Sequence, residues 1–329
     1  MQSISQIYPL RFQTIFKDKI WGGSKIHDVL GKDFSPLPNC GETWEISGME
    51  GNVSVVAEGS FAGKSLNELC GELGATLLGN KVFERFGAHF PLLIKFIDAN
   101  EDLSIQVHPD DTLGQARHGS FGKTEMWYIL QADPGSTLIT GFNRDMSPES
   151  YQEALESGHI MDVLNKEQVA AGEVYFLPAG RIHTIGKGLL LAEIQQASDI
   201  TYRIYDFDRV DDKGNKRELH TEQALAAIDY KAYPEYKNLY QRRENEAVAL
   251  AGCAYFQTNL LELSQPISRE YAGNDSFTVL IGTEGQAEVK VNGESYRLSK
   301  GDTLLLPAVL TSVEIVPEGR AVVLESFVP

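Results

Sequence analysis

The chain has 329 residues, of which 42% are hydrophobic and 23% charged, enough for about two domains with a sizeable buried core. Its 46 acidic residues against 29 lysines and arginines leave a formal net charge of −17, which repels DNA and anionic membranes and excludes nucleic acid as an expected partner. No stretch approaches the ~20 apolar residues of a membrane helix, no basic-then-apolar signal pattern opens the chain, and Cys40, Cys70 and Cys253 form no Cys-x-x-Cys pair, so the expectation is a cytoplasmic protein with reduced thiols and no membrane partner.

In chain order, residues 51–56 predict a first strand, and residues 65–73 a helix opened by Ser65 at the N-cap. Strands are predicted over 91–97, 103–107, 126–130 and 138–141, punctuated by the turn Asp133-Pro134-Gly135. A second helix is predicted over 147–155, with Pro148 at its first position and Glu149 near the positive end of its dipole. A short helix is expected over 162–169, then strands over 174–177 and 189–195 about the turn Gly186-Lys187-Gly188. The polar run 211–217 (DDKGNKR) reads as a surface loop and 221–228 as a short helix.

A composition shift near residue 240 marks a boundary, beyond which strands are predicted over 255–263, 277–281, 286–291, 294–298, 303–306, 312–316 and 321–325. Such spacing fits antiparallel sandwiches or barrels rather than strand-helix-strand repeats. An internal echo suggests duplication: GEVYFLPAGRIH (172–183) and GDTLLLPAVLTS (301–312) share a glycine, an acid, a β run and a proline in register, but Ser312 stands where the first copy has His183.

Alternation along a strand sends every second side chain to one face. Within DLSIQVHPDD (102–111), Ser104, Gln106 and His108 therefore point together, and Ile105 and Val107 the other way. A polar triplet on one strand face is costly if buried without partners, and makes sense if that face lines a site. Within GKTEMWY (122–128), Lys123, Glu125 and Trp127 share a face, and His183 follows a Pro-Ala-Gly turn. A single histidine in a strand more often packs or hydrogen-bonds than ligates. Two histidines and a carboxylate on neighbouring strands, with Gln106 as an added neutral oxygen donor, point instead to a metal site suited to zinc, iron or manganese. His27, His89, His118, His159 and His220 read as surface or structural groups.

The spacing of Gly172, Pro178, Gly180 and His183 resembles the second cupin motif. The runs IWGG (20–23), GETWEISG (41–48), PLLIKFIDA (91–99), LSIQVHPDD (103–111), GKTEMWY (122–128), AGRIHTIG (179–186) and SDITYRIYDFDR (198–209) follow one another in the chain. Together they resemble the type I mannose-6-phosphate isomerases of the cupin superfamily, over most of residues 8–210. The length leaves no room for the large helical insert of longer members, so the chain resembles the short bacterial form. The resemblance implies a mainly-β protein of two cupin-type jelly-roll barrels with a few short helices. A catalytic domain over 1–240 would precede a cupin-like domain over 241–329 that lacks metal ligands.

The same resemblance implies one zinc ion per chain, held by Gln106, His108, Glu125 and His183. It implies a catalytic arginine at Arg203, in the Ser-Asp-x-x-x-Arg pattern that begins at Ser198, with Asp199 as a candidate proton relay. Lys95, Ser104 and Lys123 fall on pocket-lining positions, and Arg209 stands where many relatives have Lys, either of which answers a phosphate. The activity implied is interconversion of mannose 6-phosphate and fructose 6-phosphate through a cis-enediol, with a sugar phosphate as partner and no oligomeric state specified. Stabilising the oxygen charge that develops is the main task. A metal ion and Arg203 suit it, and Lys123, Asp199 or a metal-bound water compete as base. Two rival readings are another metal-dependent cupin enzyme, such as an oxygenase with bound iron, and a non-catalytic sugar-binding cupin.

Overall fold

The computed structural model describes residues 7–210 and 214–329. Part of the predicted loop 211–217 therefore lies outside the described residues.

The first half is built on eleven strands: β1 (Ile15–Lys17), β2 (Glu42–Ser47), β3 (Leu92–Ala99), β4 (Ile105–Val107), β5 (Glu125–Ala132), β6 (Thr137–Phe142), β7 (Leu164–Gln168), β8 (Val174–Leu177), β9 (His183–Ile185), β10 (Leu189–Gln196) and β11 (Tyr202–Tyr205). Antiparallel pairing orders them as β1-β2-β3-β10-β5-β8 and β11-β4-β9-β6-β7. The fold is mainly β, as expected, although the two sheets face each other as opposed layers rather than closing into one hydrogen-bonded ring. Strand alternation sorts the side chains. Trp127, Ile129, Leu138, Ile185 and Leu191 meet between the sheets. Met126, Tyr128, Ala192 and Ile194 face outward from the larger sheet into a second core. Ile105, Val107 and Ile139 cover the outer face of the smaller sheet, under the helices Pro148–Glu156 and Thr221–Ala227.

The second half holds β12 (Ala247–Gly252), β13 (Gln257–Leu263), β14 (Ile267–Glu270), β15 (Thr278–Val291), β16 (Glu294–Ser299), β17 (Thr303–Leu306) and β18 (Ser312–Phe327). The strands predicted over 277–281 and 286–291 are one strand, β15, and those over 312–316 and 321–325 are one strand, β18. The ladder continues through register shifts at Gly282/Glu284 and Gly285/Ala287. Such bulges bend a long strand so that it serves both layers. Gly285 has φ +66°, and a Cβ there would lie 2.1 Å from the Arg320 carbonyl, so only glycine fits the bend. Leucine, isoleucine and valine fill this half's interior, including Leu261, Leu280, Leu304 and Ile315. The echo between the halves has a structural counterpart: Gly172 (φ +84°) and Gly301 (φ +87°) each turn the chain into the equivalent strand, β8 or β17.

The outward core of the larger sheet is shared between the halves. Phe256, Val279, Leu305 and Leu324 join Ile94, Phe96 and Ala192 in it. Phe256 is fully buried and meets Phe176 edge-on, with ring centroids 6.2 Å apart. Phe256→Ala is expected to cost about 3–5 kcal/mol of stability, measured by denaturant unfolding. A loss below about 1 kcal/mol would show that the seam contributes little.

Helix ends follow the capping chemistry read from the sequence. The helix Leu66–Leu73 begins at Ser65 in a capping box with Glu68, and Ser147 forms a similar box with Ser150 ahead of Pro148–Glu156. Three expectations change. Residues 51–56 contribute only isolated bridges at Val55 and Val56. Residues 162–169 form the end of a 3₁₀ turn, Ile160–Val163, followed by β7, because pairing with β6 supplies the backbone partners a helix would otherwise provide. Four of the described helices were not anticipated: Lys25–Asp28, Ala75–Leu78, Asn80–Phe86 and Asp111–His118. The last carried a signal, since the Asp110 side chain accepts the Leu113 N–H at 2.8 Å as an N-cap. No helix among the described residues is long and apolar enough to cross a membrane.

Candidate metal centre and active site

The opposed sheets bring the predicted ligands together from both sides. In the smaller sheet, Arg203, Gln106, His183 and Thr140 stand in one cross-strand row over β11, β4, β9 and β6. Glu125 faces that row from β5 of the larger sheet, and His108 follows directly on β4. His108, Glu125 and His183 each offer a ligand atom, all within 4.8 Å of one another, and all three residues are buried. The Gln106 amide lies 3.3 Å from His183 Nε2. A turn of that amide would present its oxygen in place of its nitrogen.

The surrounding groups prepare these atoms as ligands. His108 Nδ1 donates to the Ile200 carbonyl at 2.9 Å, and His183 Nδ1 donates to the Arg181 carbonyl at 2.8 Å. Each ring is thereby held in the tautomer that leaves Nε2 unprotonated, the usual outer support of a metal-binding imidazole. Burial, then the Lys123 charge, lowers the His183 imidazole to about 3 and takes His108 well below its ordinary value, so both rings are neutral. Burial, then Glu193, pushes the Glu125 carboxyl up to about 7, although Lys123 opposes the shift.

Glu125 Oε1 is buried without a donor and lies 3.3 Å from His183 Nε2. Two acceptors facing each other in a dry site are unfavourable, and a cation between them removes the conflict. This donor set of nitrogen and oxygen therefore fits a divalent ion. Lys123 Nζ supplies one positive charge on the other side of the cluster, bonded to Glu125 Oε2 and to His108 Nε2 at 3.0 Å.

Gln106 and Lys123 also form part of a cavity of about 360 Å³ that opens above the cluster. Lys95, Ser104, Asp199 and Arg203 line it as well, so six predicted residues meet on one concave surface. Arg203 is aimed by its own surroundings: its Nη1 donates to the Glu218 carbonyl at 2.8 Å, while its buried Nε has no partner. Asp199 is exposed at the mouth. Arg209 is not among the lining residues. Its guanidinium is committed to Asp206 and to the Asp102 carbonyl. Asp206 also receives Arg217, through Nε at 2.7 Å and through Nη2, and it is Arg217 that reaches the cavity wall.

Sequence reading passed over several lining groups. Glu193 is buried between Lys95 Nζ at 3.0 Å and Trp127 Nε1 at 2.8 Å. Burial alone would raise its carboxyl, but Lys95 and Lys123 hold it at about 2. The signal was a lone acid at an inward position of LLLAEI, the otherwise apolar start of β10. Trp44 and Lys95 face Glu193 along one register of β2, β3 and β10. Lys19, Trp21 and Glu42 complete the opposite rim from segments far apart in the sequence. The second half also reaches toward the site. Tyr255 donates to Asp111 Oδ2 at 2.7 Å, and Asp111 Oδ1 accepts the Gly122 N–H at 2.8 Å, just ahead of Lys123.

Known proteins resemble this chain over most of its length. Residues 10–140 match the family described as phosphomannose isomerase type I, catalytic domain, and residues 245–326 match the mannose-6-phosphate isomerase cupin domain. The chain is 37% identical over 308 residues to a mannose-6-phosphate isomerase of Streptococcus mutans, covering 92% of this chain and 94% of that protein. It is 36% identical to the mannose-6-phosphate isomerase ManA of Bacillus subtilis, covering 91% and 93%. A crystal structure of the mannose 6-phosphate isomerase from Bacillus subtilis superposes with a TM-score of 0.87 at 32% identity, over 97% of this chain and 99% of that one.

Proposed function

The chain belongs to the type I phosphomannose isomerase family, and on that premise we propose that it interconverts mannose 6-phosphate and fructose 6-phosphate at the centre formed by Gln106, His108, Glu125 and His183. The observation that carries the proposal is the buried, donor-free Glu125 Oε1 facing the neutral His183 imidazole, with His108 on the other carboxylate oxygen, beneath a cavity lined by Lys95, Lys123 and Arg203. We assign zinc to the centre, supported by its nitrogen and oxygen donors. Bound there, the ion supplies Lewis-acid polarisation of the substrate oxygens.

The chain's own residues account for the rest. Converting an aldose to a ketose moves one proton between C2 and C1, and negative charge grows on the adjacent oxygens. The Arg203 guanidinium, permanently charged and anchored on the Glu218 carbonyl, stabilises that charge. Lys123 Nζ, at the cavity floor, takes and returns the carbon proton as a neutral amine, after its ammonium proton has passed to solvent through the mouth. Asp199 relays protons to the solvent-facing hydroxyls from the mouth. Lys95 and Ser104 hold sugar oxygens, and Glu193 keeps the Lys95 ammonium in place. Arg217 faces the phosphate at the rim, and Arg209 acts one step back by orienting the Asp206 carboxylate that Arg217 grips.

We also propose the division into a catalytic unit over 1–240 and a structural unit over 241–329, supported by the separate apolar interior of the second half. A cytoplasmic location is supported by three unpaired thiols, of which Cys40 and Cys70 are buried. The direct test is metal content per chain, with mannose 6-phosphate isomerisation assayed before and after chelation. Turnover should fall to background in the chelated protein and return on adding one equivalent of Zn²⁺. Full turnover by metal-free protein would refute the centre.

A further inference from the structure

Arg181 is a buried cation that the isomerase reading does not use. It is only 8% exposed, and its Nε has no hydrogen-bond partner. Its guanidinium carbon lies 4.5 Å from the Tyr233 ring centroid and 4.8 Å from that of Tyr236. Burying a guanidinium without an ion pair is costly, and two aromatic faces offset part of that cost. Such an arrangement calls for a reason beyond packing.

The reason lies in the backbone that carries the side chain. The Arg181 carbonyl accepts the His183 Nδ1–H, and the neighbouring Gly180 N–H donates to the His108 carbonyl at 2.9 Å. One turn therefore touches both histidines of the centre. The chain on either side of Tyr233 is tied over it. Asp229 N–H donates to the Gly180 carbonyl at 2.8 Å, and Tyr233 Oη donates to Asp229 Oδ2 at 2.8 Å. Tyr236 Oη donates to the Phe142 carbonyl at 2.7 Å, and its ring packs so tightly on Gly141 that a Cβ there would lie 2.4 Å from it. Gly141 N–H in turn holds the Ile182 carbonyl at 2.7 Å.

We propose that Arg181, gripped by Tyr233 and Tyr236, is a positioning residue that locks the turn over residues 178–183 and so fixes the orientation of His183 and His108 toward the metal. It touches neither substrate nor metal. The inference rests on the metal centre proposed above.

The test measures Zn²⁺ affinity of the full chain by competition with a chromophoric chelator, a readout independent of turnover. Arg181→Met, which keeps the bulk and removes the charge, should raise the Zn²⁺ dissociation constant at least about tenfold. Arg181→Lys, which keeps a cation over the rings, should stay within about threefold of the parent. If Arg181→Met does not fold, Tyr233→Leu removes one face of the clamp at a partly exposed position and should weaken binding about threefold. Arg269→Met, which breaks the ion pair with Glu325 in the second half, should lower the melting temperature and leave Zn²⁺ affinity unchanged. Parent-like affinity in Arg181→Met, or in Tyr233→Leu where that variant takes its place, would overturn the clamp. Absence of Zn²⁺ binding by the parent itself would overturn the metal centre, and the clamp with it.

Discussion

Arg203→Ala is expected to retain a full complement of metal and to lose about 10²–10³ in kcat. The guanidinium stands in the same cross-strand row as Gln106 and His183 but takes no part in the cluster. Nη1 is anchored on the Glu218 carbonyl, which fixes the orientation of a guanidinium that lines the cavity. Charge that develops only as the proton leaves carbon gains most from such a donor, so the loss should fall on kcat more than on KM. Arg203→Lys keeps the charge but not the planar fork, and should recover only part of the rate. Metal content and steady-state rates on mannose 6-phosphate decide the matter. Parent-like kcat in the alanine variant would remove Arg203 from the chemistry.

Glu125→Ala should lose metal and turnover together. It removes the one carboxylate of the cluster, and with it the negative charge that a divalent ion needs in a buried site otherwise lined by neutral donors and the Lys123 ammonium. Glu125→Gln is the sharper form of the experiment, because it keeps the shape and deletes only the charge. Its Zn²⁺ affinity should still fall by two or more orders of magnitude, about 3 kcal/mol or more. Elemental analysis of the purified variants, beside their isomerase rates, measures both effects. A variant at position 125 that is metal-loaded yet inactive would move Glu125 from ligand to catalyst.

Much of this site was legible because β alternation is a local property. Ser104 and Gln106 reach the cavity while Ile105 and Val107 join the outer core, as a period of two requires. Lys123 and Trp127 likewise fall on the inward side with Glu125. Arg209 and Arg217 show the limit of such reading. Both are arginines near one acidic residue, and nothing in their spacing tells which one the Asp206 carboxylate turns toward the cavity. Glu193 was hidden for a related reason: a single acid in an apolar strand becomes informative only once Lys95 and Trp127 are seen on either side of it.

The helix 162–169 was lost because β7 gains its backbone partners from β6, a strand whose position a linear pattern does not contain. The long strands β15 and β18 were split at the bulges that let one strand serve two layers. The chain by itself determined which face of each strand the candidate metal-binding and acid–base residues occupy, and that the protein is mainly β, because these follow from residue type and the geometry of neighbouring peptides. Only the tertiary structure decided that two sheets oppose Glu125 to Gln106 and His183, that Arg217 rather than Arg209 reaches the cavity, and that a segment around residue 233 ties down the turn before His183. Those outcomes depend on contacts between residues tens to hundreds of positions apart, whose distances the covalent chain leaves free.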